Sequence, residues 1–404
     1  MKSLKIAVFH NLPSGGAKRA LYGLLSYLNR SGHIIDIFVP STANENFLPL
    51  QEVTRKVEIF PVKKSFWRSM IYSKLEYVPA IIKPISFRDL EKTEKEIANY
   101  INAKDYDVVL SEQDQYTMSP FFLKYIKKPV VYYCQQPQRN EEILEKISKD
   151  KRNSKLEPII KIGVNYIESK ESKIDKQNSS FAKYTLSNSY FSRESILRTY
   201  GLNSFVSYLG IDIELFKPLG IAKEDFVLSV GTIIPSKGYD FILRSLGKIN
   251  YKSRPKLVIV SNFGDAKWKS YIEKVASEYS VELEILDLID DDELVILYNK
   301  AKLILYAPYL EPFGLVPLEA MGCGTPVVGV KEGGVRETVI HNKTGLLTER
   351  DEDLFANAVS ELLLNDEKRE ELGQNAIEIV KNFWTIEHAG ERLLWHLKRG
   401  MNLE

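Results

Sequence analysis

The stretch LILYAPYLEPFGLVPLEAMGCGTPVVGVKEGGVRE, residues 303–337, decides the fold. It opens on an apolar run, LILYAP (303–308), breaks at a loop carrying Glu311 and Gly314, resumes with helical character over 315–322 and returns to a second apolar run, PVVGV (326–330). Apolar runs of this length, bounded by Gly and Pro and joined through a helix, read as parallel strands buried on both faces. The loop after such a strand meets the N-terminus of the next helix, where unsatisfied N–H groups and the helix dipole favour an anion.

The same alternation extends outward in both directions. Towards the N-terminus it predicts strands at FVLSVGT (226–232), KLVIVSN (256–262) and ELEILD (282–287), with helices at 239–248, 266–279 and 291–300. An earlier series starts with KIAVFH (5–10), the turn NLPSGG, a helix from Ala17 to about Arg30 and IIDIFVP (34–40). It continues with strands at 56–60, 107–112, 129–135 and 184–189 and helices over 88–103 and 190–200. Alternation of this kind argues for α/β architecture, and 404 residues exceed what one core normally serves. Two domains are therefore expected: 1–205, joined by a C-terminal helix at 385–404, and 206–384.

Composition excludes several classes. Apolar residues at 44% and charged residues at 27% are ordinary for a soluble globular chain. No window reaches the roughly 18 uninterrupted apolar residues of a membrane span, and the N-terminal apolar run is too short for a signal peptide. A cytoplasmic location is the expectation. Cys134 and Cys323 lie far apart without a CxxC pair, which argues against structural zinc or a disulfide framework. Net charge is +1, yet residues 1–200 hold 32 Lys and Arg against 22 Asp and Glu, leaving an acidic second half. A basic half suits an anionic acceptor or membrane surface, and equally a solvated face. Residues 61–83 interleave five basic residues with aromatics, and read either as a peripheral membrane contact or as helices packing their aromatics inward. No GxGxxG follows a strand and no GxxxxGK[ST] occurs, so NAD binding and P-loop chemistry lack their signatures. No nucleic-acid recognition motif is present.

Within 311–337, two acids eight residues apart, Glu311 and Glu319, flank a glycine turn into a helix. Carboxylates accept paired hydroxyl hydrogen bonds of the kind that sugar and ribose rings offer, and Gly314 lets the backbone approach a ligand. This string resembles the E-x7-E region of the retaining GT-B glycosyltransferases of glycosyltransferase family 4, and the resemblance extends over nearly the whole chain. It implies two Rossmann-like domains facing across a cleft and a hexosyl transfer from a nucleoside diphosphate sugar to a glycan, lipid-linked or small-molecule acceptor. Glu311 would contact the transferred sugar, Glu319 the ribose, and the backbone of Phe313, Gly314 and Leu315 the sugar and phosphates.

VGTIIPSKG (230–238) resembles the family's V-G-R-x-x-x-x-K-G segment, which binds the diphosphate. Gly231 and Lys237 match, whereas Thr232 replaces the arginine, so Lys237, helix N-termini and Arg193 or Arg139 would carry the positive charge that a leaving diphosphate requires. PSGGAKRALYGLLSYLNRSGHIIDIF (13–38) resembles the opening glycine turn, placing Gly15 and Gly16 near donor phosphate or acceptor; a plain βα turn is the alternative. YYCQQPQR (132–139) resembles a segment with histidine where this chain has Gln135, and glutamine cannot serve as a base. GGVRE (333–337), TGLL (344–347) and FWTIEHAGERLLWHLKRG (383–400) resemble the phosphate-side helix start, a closing strand and the crossing C-terminal helix. The D-x-D stretches Asp105-Tyr106-Asp107 and Asp290-Asp291-Asp292 are expected to cap and solvate rather than hold metal; neither metal nor cofactor is expected. His10, at the end of the first strand, is the one histidine with a candidate role. Two rivals remain: another enzyme on this plan, such as an epimerase or phosphorylase, and a non-catalytic or partner-dependent nucleotide-sugar-binding subunit.

Overall fold

A computed structural model describes residues 3–63, 85–138, 158–262 and 264–402. Most of the aromatic basic segment at 61–83, and Arg139, lie outside these residues. The chain divides into two compact units. Described residues up to Tyr208, together with those from Ala389 onward, form one, and Leu209–His388 forms the other.

The first unit holds a seven-stranded parallel sheet of β1 (Lys5–Asn11), β2 (Ile34–Pro40), β3 (Lys56–Phe60), β4 (Val108–Asp114), β5 (Val130–Tyr133), β6 (Tyr184–Ser187) and β7 (Phe205–Val206), in the order β3-β2-β1-β4-β5-β6-β7. Helices Gly16–Arg30, Phe87–Asn102 and Tyr190–Tyr200 connect strands, with glycine or serine at their ends: Ser86 and Ser189 accept from Asp89 and Ser192 N–H groups, and Gly201 ends the last helix in the left-handed region. The second unit carries β8 (Phe226–Val230), β9 (Lys256–Ser261), β10 (Leu283–Asp287), β11 (Leu303–Tyr306), β12 (Val327–Val330) and β13 (Gly345–Thr348), in the order β10-β9-β8-β11-β12-β13, again wholly parallel. Val227, Leu257, Leu305 and Val328 from four of these strands are fully buried, which is why their runs read as uninterrupted apolar sequence.

Both sheets follow the doubly wound plan, in which strand order reverses at one point: between β1 and β4 in the first and between β8 and β11 in the second. Loops diverge to opposite faces there and leave a crevice at the carboxyl ends of the strands. β7 and the helices Glu352–Leu364 and Asp366–Phe383 are additional to the sequence expectation. The last helix, Ile386–Gly400, belongs to the first unit from Ala389 onward and packs His396 against Tyr184, whose hydroxyl lies 2.8 Å from the His396 Nδ1. Burial pushes His396 down to about 4, so the ring is neutral there at ordinary pH.

Candidate functional site

The reversal between β8 and β11 brings two distant stretches together. After β8 the chain passes Gly231 and Thr232 into a short 3-10 turn, Pro235–Lys237, which Gly238 closes with φ +68° before helix Tyr239–Lys248. Only glycine fits, because a Cβ at 238 would lie 2.2 Å from the Ala307 carbonyl oxygen just beyond β11. The Tyr309 N–H donates to the Ser236 carbonyl (2.8 Å), tying the two loops a second time. Lys237 Nζ then donates to Glu311 Oε2 at 2.9 Å, with the side chains 26% and 17% exposed. Both ends of the pair remain reachable by a ligand.

Gly231 and Thr232 frame this turn through their carbonyls. Tyr239 donates to the Gly231 carbonyl (2.7 Å), and Ile234 N–H to that of Thr232 (2.9 Å). Burial, and then the Glu311 carboxylate, push the Tyr239 phenol up, so it remains a donor.

Gly314 adopts φ +102° as the residue preceding helix Leu315–Gly322, and no side chain caps that helix start. Its first N–H groups, including that of Leu315, are the orphan donors that an anion satisfies. Phe313 is buried against Trp384, ring centroids 5.7 Å apart and edge-on, which anchors the loop from below. The Glu311 carbonyl accepts the Gly334 N–H at 2.7 Å, so the GGVRE turn supports the loop from the other side.

Glu319 sits in the second turn, 5% exposed, and accepts a 2.7 Å hydrogen bond from the buried Tyr298 hydroxyl. Burial first, then the charges of Glu311 and Glu319, push the Tyr306 phenol well above its ordinary value. Tyr306 ends β11, so both acids lie around one strand end. Tyr298 and Tyr306 escaped sequence reading because tyrosine on an amphipathic helix or buried strand is normally core.

In the first unit, Gly15 (φ +129°) and Gly16 begin helix Gly16–Arg30 after β1, also without a side-chain cap. Below this turn His10 and Lys18 are fully buried, and both reach Glu45: His10 Nε2 at 2.9 Å, and Lys18 Nζ in direct hydrogen-bond contact. The Leu12 N–H donates to His10 Nδ1 (3.2 Å), which puts the ring proton on Nε2, facing Glu45. Burial pushes both His10 and Lys18 down. His10 is thus packed against Glu45 rather than exposed as a base, and Glu45 had no signal in the sequence.

Gln135, 6% exposed, donates from Nε2 to Glu112 Oε2 (3.1 Å), while its backbone carbonyl accepts the Ser192 hydroxyl (3.0 Å). Glu112, fully buried on β4, is pushed up to about 8 by burial, against the hydrogen bonds from Gln135 and the Gln113 backbone. Arg193 is exposed on helix Tyr190–Tyr200.

The two D-x-D stretches have local structural partners. Asp107 accepts the Lys5 N–H and Asp105 the Lys5 ammonium, and Asp290 caps helix Asp291–Lys300 through the Glu293 N–H. Among the described residues no cluster of three or more His, Cys, Asp or Glu side chains is arranged to hold a metal.

Comparison with known proteins adds a sequence and a fold relationship. Residues 212–379 match the family model described as glycosyl transferases group 1. D-inositol 3-phosphate glycosyltransferase of Corynebacterium efficiens is 31% identical over 194 residues, covering 43% of this chain and 46% of the relative, so the match spans about half the relative's length. Two solved structures share the fold over 98% of this chain. Anabaena HepE in complex with UDP and glucose has a TM-score of 0.73 at 18% identity and is covered over 100% of its length; sucrose-phosphate synthase of Thermosynechococcus elongatus has 0.73 at 19% identity and is covered over 98%. The fold is GT-B, an α/β fold with two Rossmann-like domains, and the matched domain is the one that holds Lys237, Glu311 and Glu319.

Proposed function

We propose, from a C-terminal domain that matches the group 1 glycosyl transferases on a GT-B fold, that the chain moves a hexosyl group from a nucleoside diphosphate sugar to a glycan, lipid-linked or small-molecule acceptor with retention at the anomeric carbon. The observation that carries this reading is the Lys237–Glu311 pair at 2.9 Å, partly exposed, at the strand ends where the β8 and β11 loops diverge. Beside it stand an uncapped helix start at Gly314 and a second carboxylate, Glu319, oriented by Tyr298.

In this reading the diphosphate lies on the N–H groups at Gly314 and Leu315 with Lys237 as counter-charge, while Glu319 accepts ribose hydroxyls. Glu311 accepts sugar hydroxyls and orients the lysine ammonium. The anomeric C–O bond to the diphosphate breaks, the acceptor oxygen bonds to the same carbon from the same face, and the acceptor proton passes to the departing phosphate oxygen. Positive charge matched to the departing phosphate is the principal electrostatic contribution required of the protein. No step uses a metal, and none requires a protein base, which accommodates Gln135 where the family segment it resembles has histidine.

The relatives named above include an inositol phosphate glycosyltransferase and a protein solved with UDP and glucose, which supports a nucleotide-sugar donor here. The basic composition of the first 200 residues supports an anionic acceptor or a peripheral contact with an anionic membrane surface, and a cytoplasmic location is part of the proposal. Among the described residues no helix is long and apolar enough to cross a membrane. Thr232, which offers a hydroxyl where the resemblance expects a guanidinium, favours a second reading: a nucleotide-sugar-binding subunit that does not turn over alone.

The deciding experiment is a thermal-shift panel of UDP-, GDP- and ADP-sugars on wild type and Glu319→Ala, followed by NMR of the product anomer. Stabilisation by one donor, lost in the variant, with a product of retained configuration, is expected. An inverted product refutes retention, and donor binding without transfer to any acceptor selects the subunit reading.

A further inference from the structure

We infer that Arg350, together with Glu332, is the positioning device of the Lys237–Glu311 pair: a guanidinium clamp that ties together the loops following β8, β11 and β12. What the pair does rests on the proposed transfer function; the clamp itself rests on geometry.

Arg350 lies two residues beyond β13 and is far in sequence from everything it holds. Its Nη1 donates to the Ala307 carbonyl and its Nη2 to that of Pro308, each at 2.9 Å. Nε and Nη2 form a fork on Glu332, 3.1 Å to each carboxylate oxygen. Four of the five guanidinium N–H groups are thereby used. The plane also sits over the Tyr309 ring, 3.8 Å from its centroid. The two side chains are 12% and 17% exposed, so their charges act in a partly desolvated setting, where such forks are strong and geometrically specific.

Each group held leads to the Lys237–Glu311 pair. The Ala307 carbonyl is the one against which Gly238 is packed, and a Cβ at 238 would lie 3.4 Å from Arg350 Nη1 itself. Moving residues 307–309 therefore moves the turn that ends in Lys237, a coupling reinforced by the Tyr309 N–H to Ser236 hydrogen bond. On the other side Glu332 precedes Gly333 and Gly334, and the Gly334 N–H holds the Glu311 carbonyl at 2.7 Å. One planar cation thus fixes the lysine's turn and the backbone of the glutamate. Lysine cannot replace it, because a single ammonium cannot span two carbonyls and both carboxylate oxygens in one plane. Placing a reacting constellation accurately needs such supporting contacts.

The test compares wild type, Arg350→Lys and Glu332→Gln by hydrogen exchange of peptides covering 232–240 and 305–312, with the β9 strand as internal control. It is paired with calorimetric titration of UDP, GDP and ADP and of the free nucleosides. Exchange in both loops about tenfold faster in Arg350→Lys, with β9 unchanged, is expected. The nucleoside diphosphate that binds wild type should bind the variant at least tenfold more weakly while its nucleoside binds equally. Glu332→Gln, which keeps the arginine and the side-chain shape, should move both readouts in the same direction and covers the case in which Arg350→Lys does not fold. Because Arg350 acts through Lys237, the losses from Arg350→Lys and Lys237→Ala should not add. Unchanged loop exchange, or fully additive losses, overturns the clamp. Faster loop exchange in a protein whose wild type binds none of the three diphosphates keeps the clamp and overturns the nucleotide reading instead.

Discussion

Glu112→Gln isolates the energetic cost of the buried acid beside Gln135. Glu112 is fully buried on β4, with its carboxyl pushed up to about 8 by burial. In the unfolded chain a glutamate titrates near 4.5. Between those two values the unfolded state has lost a proton that the folded state keeps, so wild-type stability falls as pH rises through this window. At about 1.4 kcal/mol per pH unit the cost is below about 1 kcal/mol at pH 5 and about 4 kcal/mol at pH 8. The amide that replaces the carboxyl carries no titratable proton and still offers an oxygen to Gln135 Nε2, so the variant should lack this slope. Melting temperatures of the two proteins across pH 5–8 provide the assay. For a domain of this size each kcal/mol moves the midpoint by about 2–4 °C. The variant's advantage should therefore grow by about 6–12 °C from pH 5 to pH 8, and taking the difference cancels other groups common to both proteins. A difference that stays constant across the range would show that Glu112 ionises at an ordinary pH, and that the carboxyl facing Gln135 is a carboxylate at neutrality.

Three further outcomes are expected. Glu319→Ala should abolish nucleotide-sugar stabilisation and, by leaving the buried Tyr298 hydroxyl without its acceptor, cost about 1–3 kcal/mol of stability, whereas Glu319→Gln should recover most of the stability but not the donor binding; melts with and without donor separate the two effects. Gly314→Ala has room for its methyl, since the nearest atom would be 3.4 Å away, but must hold φ +102°, so destabilisation of about 1–3 kcal/mol with weakened diphosphate binding is expected in calorimetric titration. His396, held near 4, stays neutral while an unfolded histidine protonates near 6.5; stability is present above that value and is lost as pH falls from about 6.5 towards 4, by about 2 kcal/mol once solvent screening is allowed for. His396→Gln should flatten that acid limb in pH-dependent melts, and an unaltered limb would assign it to other groups.

Much of the fold was legible because its signals are local. Uninterrupted apolar runs such as FVLSV and LILY mark strands covered on both faces, and the helix over 291–300 is announced by Asp290, whose side chain accepts the Glu293 N–H. Where signals are weak, reading fell short: β7 is two residues long and partly exposed, too short to show a period. Within the candidate site, Lys237, Glu311, Gly314 and Glu319 stood out because glycine turns and acids at a fixed spacing are written in neighbouring residues. The structure puts Lys237 and Glu311 in contact and buries Glu319 more deeply than its spacing alone conveys.

What the sequence determined by itself, then, is the alternation of strands and helices, the turns that need glycine and the residue types offered at their ends, since each depends on neighbours within a few positions. Tertiary structure alone decided the strand order that sets β8 beside β11, the Tyr298 hydroxyl on Glu319, the burial of His10 and Lys18 around Glu45, and the reach of Arg350 back to Ala307, Pro308 and Glu332. These contacts join residues remote in sequence or depend on which face is desolvated, and hydrogen bonding and burial act through distance in space, which the order of residues does not encode directly.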